Sequence, residues 1–274
     1  MTIELTLLGT GGPRPDVKRF QSATLVVVNG ERYLVDCGDG TSGQLLKAGV
    51  DPGGVSTLLL THLHVDHCFG VAPFIYAGWF HGREQLRVFG PGATRELIDV
   101  QVNSVYARDI QLRLSYGRSV AGLKDVAVTE IKPGLVLESD TCRITALGVL
   151  HDAPSETYAL RFEDGAGRSL VISSDTGYCE ALATFAQGTD ILVHECYLTG
   201  GGQFANDRPG HAERLAQIHV TPEQAGAIGR LAGTKRLVLT HLPVNVDDSA
   251  VAERAGRTYG GPAIVGCDLM HFVV

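Results

Sequence analysis

The chain has 274 residues, 44% of them hydrophobic, and a formal net charge of −7. A domain of this length buries roughly three quarters of the surface that its unfolded chain exposes, so the chain can form a substantial core. The acidic balance does not favour RNA or another nucleic-acid partner, although a locally positive face that contains metal ions could still bind one. No apolar run approaches the roughly 20 residues that span a bilayer, which excludes a transmembrane helix and predicts no membrane partner.

Glycine and cysteine usage indicates one compact cytoplasmic domain. The 34 glycines suit an α/β protein with many tight connections, and no linker-type stretch or charge block divides the chain. We therefore predict a single domain over residues 1–274. The six cysteines include no C-x-x-C pair, which favours reduced, mostly buried thiols and a cytoplasmic location. The N-terminus is too short and too polar for a signal peptide and alternates like a first strand.

The sequence of the first half of the chain predicts alternating strands and helices, and one of these strands is followed by a run of residues that can bind metal. Asn29-Gly30 is expected to form a hairpin turn, and Thr41 is expected to cap the first helix. The elements predicted in chain order are strands 3–8, 23–28 and 32–36, a helix at 41–49, strand 56–60, a helix at 70–80, strand 86–89 and a helix at 93–106.

The most informative segment is residues 61–67, THLHVDH, which directly follows an apolar strand. His62 and His64 are two positions apart on an extended segment and point the same way, and Asp66 and His67 follow as the chain turns. Imidazole and carboxylate ligands together favour zinc, with manganese or iron as alternatives. The run resembles the H-x-H-x-D-H signature of the metallo-β-lactamase superfamily and fits it without a substitution.

The second half repeats the alternation of strands and helices, and candidate ligands again follow strands. His151, Asp175 and His241 each come at or just after the end of an apolar strand, where α/β folds build sites. Thr221 is expected to cap a helix. The predicted elements are strands 126–131, 142–147, 157–163 and 169–173, a helix at 179–187, strand 190–194, a helix at 222–232 and strand 236–240. The fold class is α/β, and the resemblance implies a four-layer αββα sandwich.

The superfamily resemblance also implies seven ligands for two zinc ions, with one shared carboxylate. The first metal would be held by His62, His64 and His151, and the second by Asp66, His67 and His241. Asp175 would bridge them, which lets two cations lie about 3.5–4 Å apart. Flavodiiron-type relatives carry an acidic residue in place of the second histidine of the loop, so the histidine at position 64 favours a hydrolytic zinc centre over a redox iron centre.

Four further stretches resemble ribonuclease Z, the tRNA 3′-processing endonuclease, and its relatives. They are 7–12 (LLGTGG), 35–41 (VDCGDGT) followed by 44–46 (QLL), 88–92 (VFGPG), and 193–195 (VHE) together with 219–221 (HVT). By this resemblance His219 would be a general acid or a phosphate ligand, and Glu195 would orient it. His194 should face away from Glu195 on its strand. The resemblance also implies a homodimer.

These residues predict a binuclear zinc-dependent phosphodiesterase of the ribonuclease Z-like branch. Asp66 would orient the nucleophile, and His219 with Glu195 would protonate the leaving group. The substrate would be an anionic small-molecule ester or a phosphodiester derived from nucleic acid. The long basic arm with which ribonuclease Z grips tRNA is not evident between residues 107 and 151. An arylsulfatase-like hydrolase, a carboxylic ester or lactone hydrolase, and a catalytically silent binding module remain as alternatives.

Overall fold

Two seven-stranded sheets dominate the computed structural model, which describes residues 2–151, 156–200 and 210–274. In spatial order the strands of the first sheet are β14 (His271–Val273), β1 (Ile3–Gly9), β2 (Ala23–Val28), β3 (Glu31–Val35), β4 (Thr57–Leu59), β5 (Leu86–Gly90) and β6 (Val126–Glu130). In this sheet β1 pairs antiparallel with its neighbours on both sides, whereas β3 to β6 run parallel.

The second sheet is also mixed. In spatial order its strands are β13 (Ala263–Val265), β12 (Arg236–Thr240), β11 (Ile191–Glu195), β10 (Ser169–Ile172), β9 (Tyr158–Asp164), β8 (Cys142–Gly148) and β7 (Gly134–Glu138). The strands from β10 to β13 pair parallel, and those from β7 to β10 pair antiparallel.

The α-helices of the described residues are short, and none of them is long and apolar enough to cross a membrane. They are α1 (Thr41–Lys47), α2 (Val65–Cys68), α3 (Val71–Phe80), α4 (Thr94–Val100), α5 (Ala107–Ser115), α6 (Glu180–Phe185), α7 (His211–Ile218), α8 (Pro222–Ala232) and α9 (Asp248–Tyr259).

Three hydrophobic clusters define the layers. The cluster between the sheets contains inward-facing residues of both, such as Leu5 and Leu160. A second cluster joins the outer face of the first sheet to α1, α3 and α4, and a third joins the outer face of the second sheet to α6, α8 and α9. The predicted four-layer αββα sandwich is therefore confirmed. The arrangement buries both faces of each sheet, which explains the near-continuous apolar runs of the parallel strands.

Local turn chemistry confirms two of the predicted signals and corrects one. Asn29 and Gly30 both have positive φ, as a two-residue type I′ hairpin turn requires. Thr221 caps α8, since its hydroxyl accepts a hydrogen bond from the backbone N–H of Gln224 at 3.3 Å. The prediction for Thr41 is wrong: Gly40 precedes the helix with φ 81°, and the Thr41 hydroxyl donates to the Gly38 carbonyl at 2.7 Å instead.

The helix predicted over 93–106 is interrupted, and other elements were not predicted. α4 ends at Val100, a π-helical turn covers Gln101–Val105, and α5 follows. Asn, Ser and β-branched residues in this turn are weak helix formers, which explains the break. α2, α5, α7, α9 and the strands β7, β13 and β14 also lie outside the predicted elements.

Candidate metal centre

Most of the candidate site residues lie at or just after the carboxyl ends of parallel strands, and His151 instead follows the antiparallel strand β8. β3 and β4 run parallel in the first sheet, and β10, β11 and β12 run parallel in the second. Glu195 ends β11, His241 directly follows β12, and Asp175 comes shortly after β10. Side chains that follow neighbouring parallel strands converge at the same edge of a sheet, which is where α/β folds bind ligands.

The first group of candidate ligands consists of three histidines. His62 and His64 precede α2, and His151 follows β8. Their ligand nitrogens lie within 4.8 Å of one another, and Nδ1 of His64 is 3.0 Å from Nε2 of His151. Nδ1 of His151 donates to the Ile218 carbonyl at 3.0 Å, which fixes the ring and leaves Nε2 for the centre. The residues predicted for the first metal are thus brought together.

The second group contains Asp66 and His67 from α2 together with His241. Nε2 of His241 lies 3.1 Å from Oδ2 of Asp66, and Nε2 of His67 lies 3.8 Å from the same oxygen. The rings of the two histidines stack with their centroids 5.2 Å apart. The residues predicted for the second metal therefore also form one buried cluster.

Asp175 reaches histidines of both groups. Its Oδ1 lies 3.4 Å from Nε2 of His67, and its Oδ2 lies 3.2 Å from Nε2 of His241. The same Oδ2 is 3.8 Å from Nε2 of His151 and 4.0 Å from Nε2 of His62, both in the first group. The Asp175 carboxylate therefore lies within 4.0 Å of candidate ligand nitrogens from both groups.

The spacing of these atoms fits divalent cations. Zinc ligands at about 2.0–2.2 Å in a tetrahedron lie roughly 3.3–3.6 Å from one another, and the nitrogen and oxygen contacts described above run from 3.0 to 4.0 Å. Nε2 of His62 and Nε2 of His67 are buried with no hydrogen-bond partner among the described residues. Buried nitrogens that face carboxylates without bonding to them are suited to a metal ion, so the cluster supports the use of divalent metal.

The electrostatics of the cluster favour a cation. Burial lowers the pKa of His62 well below its usual value and also lowers that of His151, which keeps both rings in the neutral form that binds metals. Burial acts in the same direction on His67, but the carboxylates of Asp175 and Asp36 outweigh it and hold its pKa well above the usual value. Burial would raise the pKa of Asp175, yet the neighbouring histidines hold it well below the usual value.

Glu195 and His219 form a hydrogen-bonded pair beside both groups. Nδ1 of His219 donates to Oε1 of Glu195 at 2.9 Å, and the same oxygen accepts from the backbone N–H of Thr176 at 3.1 Å. Burial would lower the pKa of His219, but the Glu195 carboxylate outweighs burial and raises it. The His219 ring lies 5.0 Å from that of His151 and 5.7 Å from that of His241, between centroids. A protonated imidazole held in this way can give a proton to a molecule bound at the cluster.

His194 is not a member of these groups. It is completely buried on β11, and its Nδ1 donates to the backbone carbonyl of Glu195 at 2.9 Å. Burial lowers its pKa. The ring is therefore neutral and occupies a structural position next to the site.

Two supporting residues, Asp36 and Thr61, were not singled out from the sequence. Asp36 accepts hydrogen bonds from Nδ1 of His67 at 2.8 Å and from the backbone N–H of Thr61, also at 2.8 Å. The Thr61 hydroxyl donates to the same carboxylate and lies 3.1 Å from Nδ1 of His62. One carboxylate therefore orients ligand rings of both groups. Its signal in the sequence is the stretch 35–41, in which this aspartate directly follows a strand.

Positive backbone φ angles aim three of these side chains into the site. Asp36 has φ 58°, Ser174 has φ 59° and His241 has φ 55°. Non-glycine residues rarely adopt this region, and it costs on the order of 1–3 kcal/mol each unless the surroundings hold it. Ser174 also brings its hydroxyl to 3.5 Å from Nδ1 of His62. Three of the seven non-glycine residues with positive φ among the described residues thus lie around the candidate ligands.

Comparisons with known proteins agree in fold and in sequence. Residues 3–217 match the protein family described as anti-Pycsar protein Apyc1. Ribonuclease Z of Mycobacterium sp. (strain KMS) is 32% identical over 242 residues, which cover 87% of this chain and 84% of that protein. The metallo-β-lactamase fold protein YhfI from Bacillus subtilis superposes with a TM-score of 0.78 at 22% identity over 100% of both chains. The short form of human tRNase Z gives a TM-score of 0.74 at 22% identity over 98% of both chains.

Proposed function

This chain belongs to the ribonuclease Z-like branch of the metallo-β-lactamase superfamily and to the family described as anti-Pycsar protein Apyc1, and on that basis we propose that it is a binuclear zinc-dependent phosphodiesterase. The observation that carries the proposal is the Glu195–His219 pair beside a carboxylate, Asp175, that two groups of ligands share. Two cations alone can activate water, but a poor leaving group also needs a proton donor.

The seven clustered residues would divide between two cations. His62, His64 and His151 would hold one, Asp66, His67 and His241 would hold the other, and Asp175 would be shared. When bound, the cations supply a water whose pKa is lowered toward neutrality and positive charge for the non-bridging oxygens of the substrate. Hard carboxylate oxygens and imidazole nitrogens suit zinc, and manganese or iron would also accept this ligand set.

The protein's own side chains would orient the attack and handle the protons. Asp66 would orient the attacking water. As the water oxygen forms its bond to phosphorus and the bond to the leaving oxygen breaks, Nε2 of His219 would give its proton to that leaving oxygen. Glu195 would hold the imidazole by Nδ1 and stabilise its charged form, and the proton lost by the water would pass to solvent.

We infer that the substrate is an anionic small-molecule ester or a phosphodiester derived from nucleic acid rather than a complete tRNA. No gripping arm was evident in the sequence of residues 107–151. This segment forms α5 and three strands of the two sheets, β6, β7 and β8. The net charge of −7 adds no general attraction for RNA. The single domain, the cytoplasmic location and the homodimer stay predictions.

A substrate panel tests the proposed function. Zinc-loaded protein would be given bis(p-nitrophenyl) phosphate, p-nitrophenyl sulfate and p-nitrophenyl acetate, which share a chromophore and differ in the ester. We expect the phosphate diester to have the highest kcat/KM. Preference for the sulfate would move the protein to the arylsulfatase-like alternative, and preference for the acetate would move it to the carboxylic ester alternative. No turnover by protein that contains two metals per chain would favour the binding module.

A further inference from the structure

The ring of Tyr197 contacts both the proposed general acid and a proposed metal ligand. Its centroid lies 4.8 Å from that of His219 with the planes 42° apart, and 5.4 Å from that of His241 with the planes 51° apart. The two histidine rings are themselves stacked at 16°. Tyr197 is only 8% exposed, so these contacts take place in a packed environment.

The backbone of Tyr197 is bound to the carboxylate that holds the acid. Its N–H donates to Oε2 of Glu195 at 2.9 Å, while Oε1 of the same carboxylate accepts from His219. A single side chain at the end of β11 therefore fixes both the imidazole and the chain segment that carries the phenol ring. Because the bond to Tyr197 uses the main chain, replacing the side chain leaves this bond in place.

Gly12 closes the other side of the Tyr197 ring. A Cβ at Gly12 would lie 2.9 Å from Cε2 of Tyr197, closer than side chains normally pack, and 3.4 Å from Cε1 of His241. The Gly12 N–H donates to the Leu242 carbonyl at 3.2 Å, which ties this loop to the segment after β12. The Tyr197 ring is thus enclosed between the loop after β1 and the two histidines.

We propose that Tyr197 is a positioning residue, whose ring holds the imidazole of His219 in the orientation that protonates the leaving oxygen and so favours esters with weakly acidic leaving groups. This inference rests on the proposed function. One hydrogen bond at Nδ1 would by itself allow the imidazole to tilt, and the Tyr197 ring, which has the shortest centroid distance to His219 at 4.8 Å, restricts that motion together with the rings of His151 and His241. Misplacing a catalytic group by about 1 Å can cost on the order of a hundredfold in rate.

Leaving-group dependence separates positioning from a merely structural role. Esters of thymidine 5′-phosphate with p-nitrophenol, m-nitrophenol and phenol differ in how much they need a proton, because the leaving oxygen becomes more basic along the series. In Tyr197→Leu we expect kcat to fall about tenfold for the phenyl ester and less than about twofold for the p-nitrophenyl ester. The zinc content per chain should be unchanged.

Three further variants make the test specific. Tyr197→Phe keeps the aromatic ring, so its kcat is expected to vary among the three esters as in the wild type. Tyr116→Leu is the matched control, since Tyr116 is 75% exposed at the end of α5. Gly12→Ala displaces the Tyr197 ring without removing it. Like Tyr197→Leu, it should lower kcat more for the phenyl ester than for the p-nitrophenyl ester, so it tests the inference if the leucine variant folds poorly.

The outcomes distinguish this inference from the proposed function. If His219→Ala shows a steep leaving-group dependence and Tyr197→Leu slows all three esters equally or loses zinc, positioning by Tyr197 is wrong and the acid role of His219 stands. A flat dependence in His219→Ala would refute the acid role and the positioning inference together. Failure of the phenylalanine variant to restore the dependence would also overturn the role assigned to the ring.

Discussion

His67 donates a hydrogen bond from Nδ1 to Oδ2 of Asp36 at 2.8 Å, and both side chains are almost completely buried at the candidate metal centre. The carboxylate also reaches His62 indirectly, through the hydroxyl of Thr61. Such a contact fixes which imidazole nitrogen faces the centre and increases the basicity of the ligand. The support of the site therefore depends on a residue outside the histidine-rich loop.

Asp36→Asn should weaken zinc binding by about 10–100-fold, because the amide keeps the size of the side chain but removes the charge that supports His67. Competition against a chromophoric chelator measures the affinity. Asp190→Asn is the matched control. This buried carboxylate directly precedes β11, at the end of the strand away from Glu195 and the candidate metal centre, and pairs with Lys235 at 2.6 Å. Equal zinc affinity in the two variants would contradict the role of Asp36.

The left-handed conformation of Ser174 predicts a difference between two small replacements. Ser174→Gly should be more stable than Ser174→Ala by about 1 kcal/mol, since glycine adopts a φ of 59° without the Cβ penalty and both variants lose the hydroxyl near His62. Urea denaturation of the two proteins with the same zinc content measures this difference in the free energy of unfolding. A more stable alanine variant would show that the backbone is not strained there.

Glu223 and Arg254 predict a defined loss of stability in acid. The guanidinium makes two hydrogen bonds to the carboxylate, at 2.7 and 2.9 Å, and lowers the pKa of Glu223 from 4.5 to about 2. A carboxyl whose pKa is lower in the folded state stabilises the fold above its unfolded pKa, and this contribution disappears as pH falls from about 4.5 toward 2.

Glu223→Gln should therefore cost on the order of 1 kcal/mol near pH 7, since the carboxylate is 43% exposed and partly screened by solvent. The difference in unfolding free energy between wild type and variant should shrink as the pH is lowered from 5 to about 3. Urea titrations of both proteins at each pH give this difference. A difference that stays constant with pH would mean that the ion pair contributes nothing to stability.

Two histidines allow a matched test of the ligand set. His151→Asn should bind about one zinc fewer per chain, because an asparagine can replace the bond from Nδ1 to Ile218 but offers nothing at the position of Nε2. His194→Asn should keep the full zinc content, since its Nδ1 bonds only to a backbone carbonyl in the described contacts. Elemental analysis of the purified proteins measures the ratio. Loss of zinc from the His194 variant would place that ring in the centre.

The candidate ligands could be proposed from the sequence because their signal is local. The spacing of residues 61–67 brings four ligand types together within one turn of chain, and the remaining three follow strands. Asp36 could not be assigned from spacing, since its contact with His67 arises only when β3 and β4 pair side by side. Tyr197 could not be assigned for a similar reason, because its neighbours His219, His241 and Gly12 come from the segments that follow α7, β12 and β1.

The fold class was predictable to a similar extent. The alternation of strands and helices could be predicted because long apolar strands lie between turn residues. β13 and β14 could not, because they have only three residues each and are defined by their pairing with β12 and β1. α9 carries signals that could have revealed it. Asp247 accepts hydrogen bonds from the backbone N–H groups of Ser249 and Ala250, and Gly260 ends the helix with φ 83°.

A zinc titration followed by metal content and diester turnover in the same samples tests the central claim most directly. Protein stripped of metal would receive increasing zinc, and bis(p-nitrophenyl) phosphate hydrolysis would be measured at each ratio. The binuclear phosphodiesterase predicts that turnover rises until two zinc ions are bound per chain and that Asp175→Asn abolishes this behaviour. Turnover that is complete at one zinc per chain, or protein with two zinc ions that leaves the diester intact, would contradict it.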